Sequence, residues 1–508
     1  MALLVCMLIG HYTDPCARAQ TSLKNPFAPG EVGESDMDSD GQEMHAQADD
    51  ELGDILEGFD DQTSEGSETE DLNDLLEGFE KTEDRGEYIS DQEKKPKPDA
   101  VALFGSVSLN SSYNFAHKAP KSGETDYRGL SKLRAELDLN LDLSLSKKWK
   151  ALITGSAFND FAYTINGRDE YTDDVLNEYE NEAELGEIYL QGPLRPNLDL
   201  KLGRQIVVWG KSDNIRVVDV LNPLDNREPG LVDIEDLRLP VTMTKLDIYF
   251  GDWNLCGIAI HEIRFNKDPA FGSDFYPLDT PPPEDEDPNE GFEETEFGVA
   301  LKGIFSGWDI SFFGAYVFDD QFHIEGDLPT GPGESPNLTR VHSRLGMLGT
   351  SANLVKGSWL FKIEAAYFDG LEFFNLPDET KSRCDILLGL EYAGFNETTI
   401  SVEVVDRHML NYDPKIEEDP DRTEEDDYQG VLRLTRAYLN DTIELTFLVS
   451  VFGLEGENGH FERLATEYDL TDNWSILGGV AFYGSGDKIN FRNIENNDRF
   501  FCKIKASF

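Results

Sequence analysis

Between Leu133 and Leu145 the chain sets Leu133, Ala135, Leu137, Leu139, Leu141, Leu143 and Leu145 at alternate positions, with Arg134, Glu136, Asp138, Asn140, Asp142 and Ser144 between them. Successive side chains of a strand point to opposite faces, so this segment predicts a strand with one apolar and one charged face. Each face then needs its own solvent. Lipid outside and water within is the arrangement that a closed β-barrel provides, because closure leaves no backbone edge unpaired in hydrocarbon. The same period recurs at Trp359-Phe361-Ile363-Ala365-Tyr367, Cys384-Ile386-Leu388-Leu390-Tyr392 and Ile400-Val402-Val404. The chain also ends on it. Phe500, Cys502, Ile504, Ala506 and Phe508 would face lipid, and Lys503, Lys505 and Ser507 a wet interior. Ile504, Ala506 and Phe508 make up the terminal pattern expected to serve as the signal for the barrel-assembly machinery.

From Val101 onward, short connections near Lys147-Lys148, Leu194-Asn197, Gly251-Asp252, Ser306-Gly307, Lys356-Gly357, Gly394-Asn396, Asn440-Asp441 and Thr471-Asn473 alternate with long polar stretches. The long ones fall at about 116–129, 163–179, 210–240, 266–293, 320–339, 370–381, 409–427, 455–460 and 485–496. Two classes in strict alternation are what periplasmic turns and extracellular loops produce, and they predict an all-β transmembrane antiparallel barrel of about 16–18 strands. Trp149, Trp253, Trp308, Trp359 and Trp474 each stand at the exit of a short turn. Indole prefers the headgroup interface, so these five predict a periplasmic aromatic girdle.

Composition fits such a barrel. Mean hydropathy is −0.45, and no 20-residue apolar run is present, which excludes a helical membrane protein but not strands that are half polar by construction. The formal net charge of −56 argues against nucleic acid, which needs a basic face. Residues 1–19 read as a signal peptide, with an apolar core from Ala2 to Gly10 and Ala17-Arg18-Ala19 as the cleavage site, although the usual positive start is missing. A leader followed by a barrel predicts the outer membrane of a Gram-negative bacterium, against lipid and lipopolysaccharide. Three cysteines remain after it, Cys256, Cys384 and Cys502, and they read as free, small, lipid-facing hydrophobes.

Residues 20–100 form an acidic arm rich in Asp, Glu, Ser and Gly, too poor in apolar side chains to fold alone and expected to be a disordered periplasmic tether. It contains a repeat of period 20. Leu52, Ile55, Leu56 and Phe59, then Leu72, Leu75, Leu76 and Phe79, hold the i, i+3, i+4, i+7 spacing of one helical face. Each is too short to be stable alone, and the pair suits helix-in-groove capture of a periplasmic partner, with duplication raising effective concentration. A plain charged spacer is the alternative.

Inward positions carry charges of both signs, among them Arg134, Glu136, Asp138, Lys362, Glu364, Arg383, Asp385, Glu403 and Arg433, most of which are expected to pair across strands and brace the wall. The third long stretch differs from the other loops. Gly203 to Pro240 keeps apolar residues among charges, and it is expected to fold inward and narrow the channel. Arg216, Arg227 and Arg238 against Asp219, Asp225, Glu228, Glu235 and Asp236 would hold the constriction by internal ion pairs.

This run, with Gly203-Arg204-Gln205, Trp209-Gly210, Asn222-Pro223, Asp225, Arg227-Glu228, Glu235-Asp236, Arg238 and Pro240, resembles an uncharacterised outer-membrane barrel family of environmental proteobacteria. The resemblance covers Val101 to Phe508 and leaves out the arm. It implies a setting beside RND-type exporters and periplasmic lipoproteins, hence export of lipidic or other hydrophobic molecules, and it transfers no catalytic or ligand residue.

The reading is therefore a channel or export barrel that moves a solute or a hydrophobic molecule across the outer membrane with a periplasmic partner, without cofactor or metal. A general porin for small hydrophilic solutes is the alternative. An outer-membrane hydrolase would use rim residues such as His342, Ser343 and His408, but no spacing sets a nucleophile beside a base. The acidic runs at 283–296 and 417–427 would attract Ca²⁺ or Mg²⁺ only weakly, since neither has the spacing of an EF-hand loop.

Overall fold

The computed structural model describes residues 100–121, 125–233, 236–286, 288, 294–327 and 337–508. The signal peptide, the arm and its two apolar repeats (Leu52, Ile55, Leu56, Phe59; Leu72, Leu75, Leu76, Phe79) lie outside the described residues, as does Glu235.

Eighteen strands form one sheet. In chain order they are β1 (Val101–Asn114), β2 (Gly129–Ser144), β3 (Lys150–Asp160), β4 (Asn181–Arg195), β5 (Leu198–Gln205), β6 (Val241–Phe250), β7 (Trp253–Ile260), β8 (Glu296–Phe305) and β9 (Trp308–Phe318). Then come β10 (Arg344–Lys356), β11 (Trp359–Leu371), β12 (Lys381–Phe395), β13 (Thr398–Leu410), β14 (Asp426–Tyr438), β15 (Ile443–Phe452), β16 (His460–Thr471), β17 (Trp474–Gly484) and β18 (Arg499–Ser507). Each pairs antiparallel with its sequence neighbours, and β18 returns to β1 in the register Ser106↔Ser507 to Asn114↔Arg499. That last pairing closes the barrel and removes both edges. Phe508 adds a rung beyond it: its N–H donates to Gly105 O at 2.9 Å and its carbonyl accepts from Gly105 N at 3.0 Å.

Tight turns join β2 to β3, β4 to β5, β6 to β7, β8 to β9, β10 to β11, β12 to β13, β14 to β15 and β16 to β17, where the short connections were expected. Trp253, Trp308, Trp359 and Trp474 open the strands that follow such turns, and Trp149 directly precedes β3. A second aromatic level stands above this one. Tyr316, Tyr367 and Phe482 lie eight positions after Trp308, Trp359 and Trp474 (316 − 308, 367 − 359, 482 − 474), on the same outward face, and are about 40–55% exposed. Eight residues at about 3.3 Å each, tilted by about 40°, rise roughly 20 Å, close to the ~25 Å apolar band of an outer-membrane barrel. Between the two levels the outward side chains are mainly hydrocarbon, such as Phe312, Ile363, Leu388 and Val402, with Thr350 and Thr466 among them. A belt of this height and composition fits only lipid, and with a closed antiparallel barrel it marks an outer-membrane protein.

The inner face is less uniform than a purely wet lumen. On β6 to β15 it carries a buried apolar patch that includes Met243, Ile258, Phe313, Met347, Phe368, Leu387, Val405 and Leu448. Cys256 belongs to it, inward and 2% exposed, not lipid-facing as expected; it occupies the inward phase of β7 with Ile258 and Ile260. Cys384 and Cys502 are partly exposed free thiols.

Candidate functional site

What covers that inner patch is the third loop, residues 206–240, which leaves β5 and runs into the barrel before returning to β6. Val207, Trp209, Ile215, Val217, Val218 and Leu221 of the loop are all below 8% exposed and pack on the apolar wall. Trp209 lies against Phe313, with ring centroids 5.0 Å apart, and Val218 enters the notch left by Gly349, where a Cβ would stand 2.6 Å from its Cγ1. Each such side chain, once buried, contributes roughly 1.5–3 kcal/mol, so hydrocarbon supplies most of the force that draws the loop inward. Polar contacts then fix where it stops.

Those contacts come from two carboxylates of the wall. Glu364 on β11 is 1% exposed and Glu403 on β13 is fully buried. Glu364 accepts from the backbone N–H of Lys211 and from that of Ser212 at 2.8 Å. Glu403 accepts from Ser212 Oγ at 2.7 Å, from the N–H groups of Asp213 and Asn214 at 3.2 and 3.1 Å, and from Asn214 Nδ2 at 3.2 Å. Lys362, 3% exposed, pairs with Asp213 as well as with Glu403 and Glu391, each at 3.7 Å. At this crossing Gly210 has φ +89°, and a Cβ on it would stand 2.7 Å from a Glu364 oxygen, so only glycine brings the backbone this close.

The opposite flank of the loop is held by cations of other strands. Asp233 pairs with Arg463 on β16 and with Arg433 on β14 at 3.3 Å. Glu228 pairs with Lys132 and, at 3.8 Å, with Arg134, both on β2. Burial alone would raise the Glu228 carboxyl, but Lys132 and Arg134 outweigh it and hold the group at about 2. Tyr483 on β17 donates to Pro229 O at 2.9 Å. The loop thus reaches β2, β11, β13, β14, β16 and β17, spanning the interior instead of lining one side.

Of the residues singled out in the sequence, Arg216, Asp219 and Arg238 come together: Arg238 Nε donates to Asp219 Oδ2 at 2.8 Å, and Arg216 Nε lies 3.4 Å from the same oxygen. Arg227 and Asp225 form a second group, joined at 2.6 Å, with Glu182 of β4 at 2.9 Å from the same guanidinium. Glu228 turns to the wall instead of to a loop arginine. Asp236 is exposed and has no ion-pair partner among the described residues. The wall carboxylates Glu364 and Glu403 were legible as inward charges but not as acceptors for the loop, because the sequence does not show which backbone amides stand opposite them.

The spacing of polar residues in the run also gains physical content. Asn222 is fully buried and ties both limbs: its Oδ1 accepts from Val207 N at 2.9 Å, and its Nδ2 donates to Leu239 O at 2.9 Å and Gln205 O at 3.2 Å. Gln205, also fully buried, donates to Met243 O at 3.1 Å, and Arg204 donates to Pro240 O at 3.1 Å. These residues are the mounts on which the loop leaves and rejoins the wall.

Beside the loop lies a cavity of about 280 Å³. Val431, Leu448 and Phe452 of the wall, Phe461 of β16, Phe275 of the fourth loop and Phe491 of the last loop give it a mainly apolar lining. The charged groups on its lining are Asp225, Glu228 and Asp233 of the third loop, with Asp268 and Lys488; Lys488 Nζ is 2.8 Å from Asp427 and stands 5.2 Å over the Phe452 ring.

The rim residues named for hydrolysis do not assemble with one another. His342 stacks on Phe265 at 3.4 Å between centroids, and His408 faces Asp426 at 2.6 Å. Ser343 does meet a histidine, but it is His323, at 3.1 Å.

The family described as "Protein of unknown function (DUF1302)" matches residues 81–508. No curated protein matches the sequence. Similar solved structures include OccAB2 of Acinetobacter baumannii, 9% identical over 81% of this chain and 98% of that one, with a TM-score of 0.49. A BenF-like porin from Pseudomonas fluorescens is 9% identical over 80% of this chain and 97% of that one, at 0.47. OccK2 of Pseudomonas aeruginosa, solved in complex with glucuronate, is 10% identical over 80% of this chain and 97% of that one, at 0.43.

Proposed function

The chain belongs to the DUF1302 family of proteins of unknown function, and from that premise we propose that it is an outer-membrane channel whose third loop sets passage, carrying small, largely apolar molecules supplied by a periplasmic partner. The observation that carries the reading is the loop itself, docked across the lumen on Glu364 and Glu403 and bordered by a cavity of about 280 Å³ with an apolar lining. Pockets that hold small molecules are commonly apolar with a few placed polar groups, and Asp268 and Lys488 fit that pattern. A partner is supported by the aligned apolar faces of Leu52, Ile55, Leu56 and Phe59 and of Leu72, Leu75, Leu76 and Phe79 in the arm.

A general porin for hydrophilic solutes is the second reading, favoured by the polar wall toward the tight turns, where Lys201, Lys245, Asp247, Lys302 and Asp309 point inward. Proteoliposome flux separates the two. The first expects an aromatic or aliphatic solute of the cavity's size to pass faster than a sugar of equal mass, with the preference abolished by Phe461→Asp. Faster sugar flux would establish the porin. Removing residues 30–98 is expected to lower transport in cells while leaving bilayer conductance unchanged; equal transport would remove the partner.

A further inference from the structure

Beyond the ends of the barrel strands, the loop after β9 and the loop after β11 meet at His323. His323 opens a short strand, His323–Asp327, which pairs with Asn337–Val341. Its Nε2 lies 3.3 Å from Glu325 Oε1 and 3.3 Å from Glu372 Oε2, and its other nitrogen, Nδ1, lies 3.1 Å from Ser343 Oγ. All three candidate ligand atoms fall within 4.8 Å of one another. We propose that His323, Glu325 and Glu372 bind one divalent transition ion of the Zn²⁺ type, which clasps the two extracellular loops together.

Three observations point to a cation. One ring nitrogen of a neutral imidazole carries at most one hydrogen, so it can satisfy one of two carboxylates but not both, whereas a shared cation satisfies all three groups. The spacing also fits: for bonds of about 2.0 Å, two ligands of a tetrahedral ion stand about 3.3 Å apart, the separation of Nε2 from each carboxylate oxygen. The ring is already oriented. Ser343 is only 6% exposed, too enclosed to reach an incoming carbonyl, and its hydroxyl against Nδ1 stands where an outer-shell partner fixes the ring and leaves Nε2 for a metal. One imidazole with two carboxylates selects a borderline transition ion over Ca²⁺ or Mg²⁺, which prefer all-oxygen shells. Glu325 and Glu372 are about half exposed, leaving an open side for water as a fourth ligand.

The test uses the full-length barrel in detergent, stripped with EDTA and freed of chelator, then titrated with Zn²⁺ by calorimetry and with Co²⁺ by visible absorption. The expected result is one tight equivalent with the intense visible bands of tetrahedral Co²⁺. His323→Ala abolishes it, and Ser343→Ala weakens it by roughly tenfold. Unboiled electrophoretic mobility shows that each variant still forms the barrel. Absence of a tight equivalent in the wild-type protein, or a tight equivalent that survives His323→Ala, overturns the proposal; in the second case the acidic loops hold the ion.

Discussion

Glu403→Ala is the substitution that asks most directly whether the docked loop controls passage. The carboxylate is fully buried and accepts from Ser212 Oγ, Asp213 N, Asn214 N and Asn214 Nδ2. Hydrogen bonds to a charged group contribute about 1.5–3 kcal/mol each, and donors left without a partner lose more if water cannot reach them. Asp213 is exposed, so water replaces part of what is lost there, and a total of roughly 3–5 kcal/mol is a fair measure of the effect on docking. At about 1.4 kcal/mol per tenfold change, the undocked population rises by roughly 10²–10⁴. The barrel itself keeps its strands, since none of these bonds belongs to the ladder. Single-channel recording in planar bilayers is expected to show a larger mean conductance with added open-state noise, and protease added to the extracellular side should cut between Ser212 and Asp233. Glu403→Gln, which keeps one acceptor oxygen, should fall between the two. If Glu403→Ala and the Glu364→Ala, Glu403→Ala double variant form intact barrels whose loop is cut while conductance stays at the wild-type level, the loop does not control passage; if the loop stays uncut, these two carboxylates do not hold it.

Four further outcomes follow from named contacts. Glu228, held at about 2 against an ordinary value near 4.5, stabilises docking at any pH above that ordinary value and loses its contribution as pH falls through about 2; conductance should stay flat from pH 7 to about 4.5 and rise below it, and Glu228→Gln should remove the acid step. Gly210→Ala combines a left-handed φ with a Cβ 2.7 Å from the Glu364 carboxylate, so it should loosen the loop and raise conductance without changing barrel yield. Leu388→Arg places a cation on the lipid face opposite Ile363, at a depth where such a change costs about 2–4 kcal/mol, and should lower the denaturant midpoint of the refolded barrel. Deleting Phe508 removes both its bonds to Gly105 and should reduce outer-membrane insertion more than unfolding stability measured after refolding.

The hydrophobic period was readable because each strand meets two solvents and must declare which face belongs to each. Leu133 to Leu145 states this without help from the rest of the chain, and the five turn-exit tryptophans state the level of the membrane. The third loop announced itself by apolar residues among charges, yet its arginines and carboxylates did not pair as one network. Asp219 gathers Arg216 and Arg238, while Glu228 leaves the loop for Lys132 and Arg134 on β2. Cys256 was misplaced because the rule of an apolar exterior and a wet interior fails where a loop packs inside.

Local alternation and turn spacing, then, determined the barrel, the range of 16–18 strands and the girdle, since strand period and membrane thickness act within ten residues at a time; the count of eighteen and the pairing of the last strand with the first came from the tertiary structure. Which wall groups receive the loop, the apolar patch and cavity beside it, and the meeting of His323 with Glu372 were decided only in three dimensions. Those partners are far apart in sequence, and closure of the cylinder is what brings them within hydrogen-bonding distance.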